Sequence, residues 1–172
     1  PIVVALGAMH RGNVQLTQLR QFETLSSFQE FLHQPAPTGQ TCVGGFDLPF
    51  GLPREWVEAV HWPSTWPECM DRFAEHSRDE LRQLFKSFCD ARPAGSKFAH
   101  RKTDLPAGSS PSMKWVNPPV AWMMHAGVPL LRQAKWTLPG LQKGRPDCVA
   151  LEAYPGLLAR EVVGDRKSTR LN

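Results

Sequence analysis

The chain has 172 residues, 41% of them hydrophobic, with 20 Lys and Arg against 16 Asp and Glu for a formal charge of +4. No apolar run approaches the ~20 residues of a membrane span, so a membrane-spanning class is disfavoured, and no signal peptide is visible, although a truncated start would hide one. The four cysteines (Cys42, Cys69, Cys89, Cys148) form no Cys-x-x-Cys pair and the six histidines no His-x-x-x-His pair, which suits a reducing cytoplasm better than a disulfide scaffold or a zinc site.

Residues 1–9 and 13–20 read as antiparallel strands around the turn Arg11-Gly12-Asn13, with Val14 and Leu16 alternating with polar neighbours. Leu25, Phe28, Phe31 and Leu32 recur at helical spacing across 24–33, and Pro35 and Pro37 close that helix. Residues 41–47 read as a strand that ends in Asp47. Pro49 and Gly51 stop it, and Pro53 suits the first turn of a helix. About a hundred residues of mainly helical character follow. Ser77 and Glu80 have the capping-box spacing, and Leu81, Leu84, Phe85 and Phe88 give the helix 77–92 its apolar face. Residues 93–118 read as loop, and 119–133 as a helix interrupted by Gly127 and Pro129. Residues 148–152 are an apolar strand carrying Glu152, broken by Pro155-Gly156 and followed by a helical run to Val163.

The last eight residues, 165–172, look like a translated sequencing-library adapter and read as a non-native tail. They hold Arg166, Lys167 and Arg170 against Asp165, so without them the charge falls from +4 to +2. Net charge alone is therefore a weak argument for nucleic acid. Pro1 begins inside a strand pattern, so residues 1–164 are expected to form one domain that lacks sequence at both ends.

Two strands each deliver one carboxylate, Asp47 and Glu152, to a Pro/Gly break. Carboxyl ends of parallel strands are where open α/β sheets hold their sites. If the two strands are adjacent, roughly 4.8 Å apart, their terminal acids can share a divalent ion. The bland alternatives are that Asp47 caps a turn and Glu152 is an edge residue.

Phe46-Asp47-Leu48-Pro49-Phe50-Gly51-Leu52-Pro53, His100-Arg101-Lys102-Thr103-Asp104, Asn117-Pro118-Pro119 and Leu151-Glu152-Ala153-Tyr154-Pro155 together resemble the family catalogued as domain of unknown function 429. Its members are described as predicted nucleases of ribonuclease H-like fold, and the likeness covers essentially all of 1–164. The resemblance implies a mixed sheet whose central first strand is missing here, with a long helical insertion between the last two strands. It also implies Asp47 and Glu152 as catalytic residues and ligands of Mg²⁺ or Mn²⁺, and phosphodiester hydrolysis as the reaction. The family's first-strand Asp and its late Asp in the final helix have no counterpart in this chain.

Arg92, Lys97, His100, Arg101 and Lys102 gather near 93–118. They can hold a phosphate backbone, with Arg101 and Lys102 as the substrate-binding pair, or form a solvated face. The six tryptophans fit base stacking or, more simply, core packing. A non-catalytic nucleic-acid- or nucleotide-binding module is the competing expectation. Phosphotransfer on a small molecule is a third, against which stands the lack of a Gly-rich phosphate loop.

Overall fold

Arg11 and Gly12 both take positive φ, 50° and 82°, the backbone of a type I′ turn whose twist matches the strands it joins. It closes an antiparallel hairpin of β1 (Ile2–His10) and β2 (Asn13–Phe22), with His10 opposite Asn13 and a bulge between Leu6 and Gly7. Ile2 and Val4 lean on the core, while Val3, Met9, Val14, Leu16 and Leu19 face solvent. The computed structural model describes residues 1–163, so the adapter-like tail lies outside the described residues.

Thr24 caps α1 (Leu25–His33) by accepting from the Ser27 backbone N–H at 3.1 Å. Phe28 and Leu32 are the buried side of that helix, and the Phe28 ring meets Phe22 edge-on at 5.6 Å. β3 (Cys42–Phe46) and β5 (Arg145–Glu152) are parallel neighbours, and β4 (Trp136–Thr137) pairs with the other side of β5, also in parallel. The protein is thus a mixed α/β structure. Its three-stranded parallel sheet, ordered β3-β5-β4, stands apart from the two-stranded hairpin.

Between β3 and β4 run α2 (Arg54–Ala59), α3 (Trp66–Glu75), α4 (Arg78–Asp90), α5 (Asp104–Ala107) and α6 (Val120–Gln133), and α7 (Pro155–Val163) follows β5. Three details correct the sequence expectation. β4 interrupts the helical segment that was to lead directly into the last strand, its two residues being too short to show alternation. α5 lies inside 93–118, which reads as loop because Pro106 stands within the turn and Gly108 ends it. α6 runs unbroken through Pro129, where burial of Val128, Leu130 and Leu131 offsets the lost N–H bond. Among the described residues no helix is long and apolar enough to cross a membrane.

The core is aromatic. Trp56, Phe73, Phe85, Leu81, Met113 and Met124 are fully buried, and Trp56 contacts both Trp62 and Phe85 at 4.9 Å. The indole of Trp136 donates to the Leu32 carbonyl at 2.8 Å, tying β4 to α1. Gly44 in β3 has no room for a side chain: a Cβ would lie 2.7 Å from the Phe46 ring and 3.1 Å from Trp136. Gly44→Ala is therefore expected to destabilise the fold by about 1–3 kcal/mol through overpacking, read as a shift of the urea midpoint.

α4 starts with the capping box that its sequence announces: Ser77 Oγ accepts from Glu80 N, and Glu80 Oε2 accepts from Ser77 N at 2.7 Å. Hydrogen bonds from the Ser77 hydroxyl and then its backbone N–H hold the Glu80 carboxyl below its ordinary value. A carboxyl depressed in the folded state contributes stability above its unfolded pKa, and that contribution is lost as pH falls through the folded one. Glu80→Gln should thus flatten the acid limb of a thermal-midpoint-against-pH curve and leave no trace of this group at neutral pH beyond a constant offset.

Candidate functional site

The parallel register sets Phe46 opposite Glu152, so Asp47 leaves β3 beside the last residue of β5. The chain turns sharply there, with Leu48 N donating to Phe46 O at 2.8 Å and Ala153 N to the same carbonyl at 2.9 Å. The loop then folds back on Glu152, whose Oε2 accepts from Phe50 N at 2.9 Å. The Trp66 indole fixes that loop from outside by donating to the Phe50 carbonyl. On α6, Gly127 leaves space for Leu48; a Cβ there would meet Leu48 Cδ2 at 2.5 Å.

Arg101 organises the other half. Its Nε and Nη2 donate to Asp104 Oδ1 at 3.0 and 2.7 Å, while Nη1 and Nη2 donate to Glu152 Oε2 and Oε1 at 2.8 and 2.6 Å. The Arg101 backbone N–H adds a bond to Asp104 Oδ2 at 2.8 Å. Asp104 is 1% exposed, so its carboxylate depends on these bonds and on a weak one from Ser109 Oγ at 3.4 Å. Burial works against the charge of Arg101, but hydrogen bonds to Glu152 and Asp104 outweigh it and raise its pKa above the ordinary guanidinium value. One fully charged guanidinium bridges two carboxylates from separate parts of the chain.

Asp47, Glu152 and Arg101 face one cavity of about 490 Å³. Asp47 is exposed. Lys102, the second expected substrate-binding residue, is exposed and stands outside the cavity lining. Arg92 is engaged elsewhere, in an ion pair with Glu55. The tryptophans pack: Trp56 and Trp136 are buried, and Trp62, Trp66, Trp115 and Trp122 lean on the core. Thr103 and Tyr154, which stand in the family-like motifs without a role of their own, also line the cavity, as do Ser110, which lacks the sequence context of a serine nucleophile, and Met123 and Leu157, which the sequence does not single out. The Pro155-Gly156 break after Tyr154 was the available signal, because a chain break at a strand end exposes its neighbours.

Asp47 and Glu152 are hard oxygen donors, a set that suits Mg²⁺ or Mn²⁺, ions that keep several waters and use one or two carboxylates. Among the described residues no group of three or more His, Cys, Asp or Glu side chains is arranged to hold a metal. Comparison with protein-family models, curated proteins and solved structures gave no match. Fold and site define an α/β protein with a carboxylate pair at the carboxyl end of a parallel sheet.

Arg101→Met should leave the buried Asp104 carboxylate without its partner and cost about 3–5 kcal/mol. Arg101→Lys keeps the charge without the fork and should lose an intermediate amount. Urea denaturation of both variants measures this; a loss under about 1 kcal/mol for Arg101→Met would mean that the bridge is weak.

Proposed function

We propose that the protein is a metal-dependent nuclease that hydrolyses phosphodiester bonds of nucleic acid, of the ribonuclease H-like type that its sequence motifs resemble. The observation that carries this reading is the convergence of Asp47 and Glu152 on one cavity from adjacent parallel strands. Asp47 and Glu152 would hold Mg²⁺ or Mn²⁺. Such an ion, when bound, supplies Lewis-acid polarisation of the phosphate and a more acidic water.

The chain's own side chains would do the rest. Glu152 is held in place by Arg101 and the Phe50 N–H, so its carboxylate is oriented before any ligand arrives. Asp47, which has no hydrogen-bond partner among the described residues, is free to accept a new one or to take a proton from water. Arg101 would keep its grip on Asp104 and turn part of its fork from Glu152 toward a phosphate oxygen, a geometry that guanidinium serves well.

A single-stranded oligonucleotide labelled at one end tests this reading. Cleavage by the full chain in Mg²⁺ or Mn²⁺ is expected, with loss on chelation and a fall of about 100-fold in Asp47→Asn, equivalent to a few kcal/mol of barrier. Oligonucleotide binding that survives chelation, with no cleavage under any metal, would instead support the non-catalytic binding module.

A further inference from the structure

We propose that the cavity beside Asp47 and Glu152 is a pocket for one unpaired nucleobase, so that the protein takes single-stranded or locally opened nucleic acid. This deepens the nuclease reading and rests on it for the reaction, but not for the binding.

Shape and surface come first. A volume of about 490 Å³ lies in the range of small-molecule sites, roughly 300–1,000 Å³, and suits one nucleoside. Leu48, Pro49, Met123, Tyr154 and Leu157 give it apolar walls. A sugar-phosphate backbone has no use for such walls, whereas the face of a heterocycle does.

The aromatic wall is held in advance. A Cβ on Gly156 would lie 2.9 Å from Tyr154 Cζ and 3.0 Å from its hydroxyl, so the ring occupies space that only a glycine leaves open. The Arg160 guanidinium sits 5.5 Å from the centre of the same ring. Arg160 also donates to the carbonyls of Ala107 and Gly108, which fixes α7 to the end of α5. A ring clamped in this way loses little freedom when a base stacks on it. Thr103 and Ser110 add hydroxyls to the lining. Thr103 makes no capping bond to α5, so its hydroxyl can serve the edge of a base as donor or acceptor.

Charge then sets an order of affinities. Arg101 is matched against both Asp104 and Glu152, and Asp47 has no cationic partner among the described residues. Even with Arg160 counted behind the Tyr154 ring, three acids (Asp47, Asp104, Glu152) against two arginines leave the cavity with one net negative charge. A neutral nucleoside meets no repulsion there, while a bare phosphate does. Without metal the nucleoside should bind better than its own 5′-monophosphate, and a divalent ion should remove the difference. A base inside a duplex has its faces stacked and its edge paired, so only an unpaired or flipped base can enter.

The test is calorimetric titration of the full chain with adenosine, uridine and their 5′-monophosphates, first in chelator and then in Mg²⁺. Saturable nucleoside binding in chelator, about tenfold tighter than the monophosphate, is the expected result. Tyr154→Ala, Met123→Glu and Gly156→Ala should each weaken it by about tenfold, the size of a lost stacking contact, with thermal midpoints confirming that the variants fold. Tyr154 and Met123 are both 39% exposed, so these changes need not disturb the core. Nucleoside binding together with a monophosphate deficit that Mg²⁺ does not relieve would retain the pocket and remove the metal-dependent reading. No nucleoside binding, binding unchanged in all three variants, or equal binding of cyclohexanol would overturn the proposal.

Discussion

Arg101 is the residue on which the site depends. Asp104 is buried, and a buried carboxylate without a partner is among the most costly features a fold can contain. Arg101 neutralises it and, with the same guanidinium, reaches Glu152 on β5. The segment 101–110 is thereby fastened to the carboxyl end of the sheet, and Arg160 fastens it again from α7 through the carbonyls of Ala107 and Gly108. Two arginines pointing in opposite chain directions hold one wall of the cavity. Loss of Arg101 would therefore alter stability, the orientation of Glu152 and the cavity together.

The opposite wall depends on steric room rather than charge. Gly44 lets β3 lie under Phe46 and Trp136, and Gly127 lets Leu48 settle on α6. Those close approaches, with the in-register pairing of Phe46 and Glu152, bring Asp47 to the cavity that Glu152 lines. Both acids sit where apolar strands stop, a position that keeps their backbone rigid and their carboxylates accessible. Stability and chemistry are thus divided. The buried aromatic core carries most of the first, and a short run of strand-end residues would carry the proposed second.

Much of this was legible in the chain itself. Asp47 and Glu152 stood out because each ends an apolar run at a Pro/Gly break, and helix α4 because Ser77 and Glu80 have cap spacing with an apolar face behind them. The hairpin was readable from Arg11-Gly12-Asn13. What escaped has physical reasons. β4 is two residues long and acts by pairing with β5, which no local pattern records. α5 is a single turn that contains a proline and ends at a glycine. Above all, the pairing of Arg101 with Glu152 spans 51 positions, and a run of basic residues gives no sign that one member is half-buried between carboxylates. The basic loop reads as a phosphate grip; in the fold, its best-placed arginine already has two anionic partners.

That arrangement bears on how a cation would enter. Glu152 accepts bonds from Arg101 and Phe50 but keeps lone pairs on both oxygens, while Asp47 is uncommitted among the described residues. A divalent ion relieves the repulsion between the two acids and needs Arg101 to yield only part of its fork. The most direct measurement is electron paramagnetic resonance of Mn²⁺ titrated into the full chain, since free Mn²⁺ gives a signal that binding broadens. Saturable binding that Asp47→Asn and Glu152→Gln each weaken by about tenfold or more is the expected result. Mn²⁺ that stays free at millimolar protein, or binding indifferent to both substitutions, would contradict a shared cation site at the ends of β3 and β5.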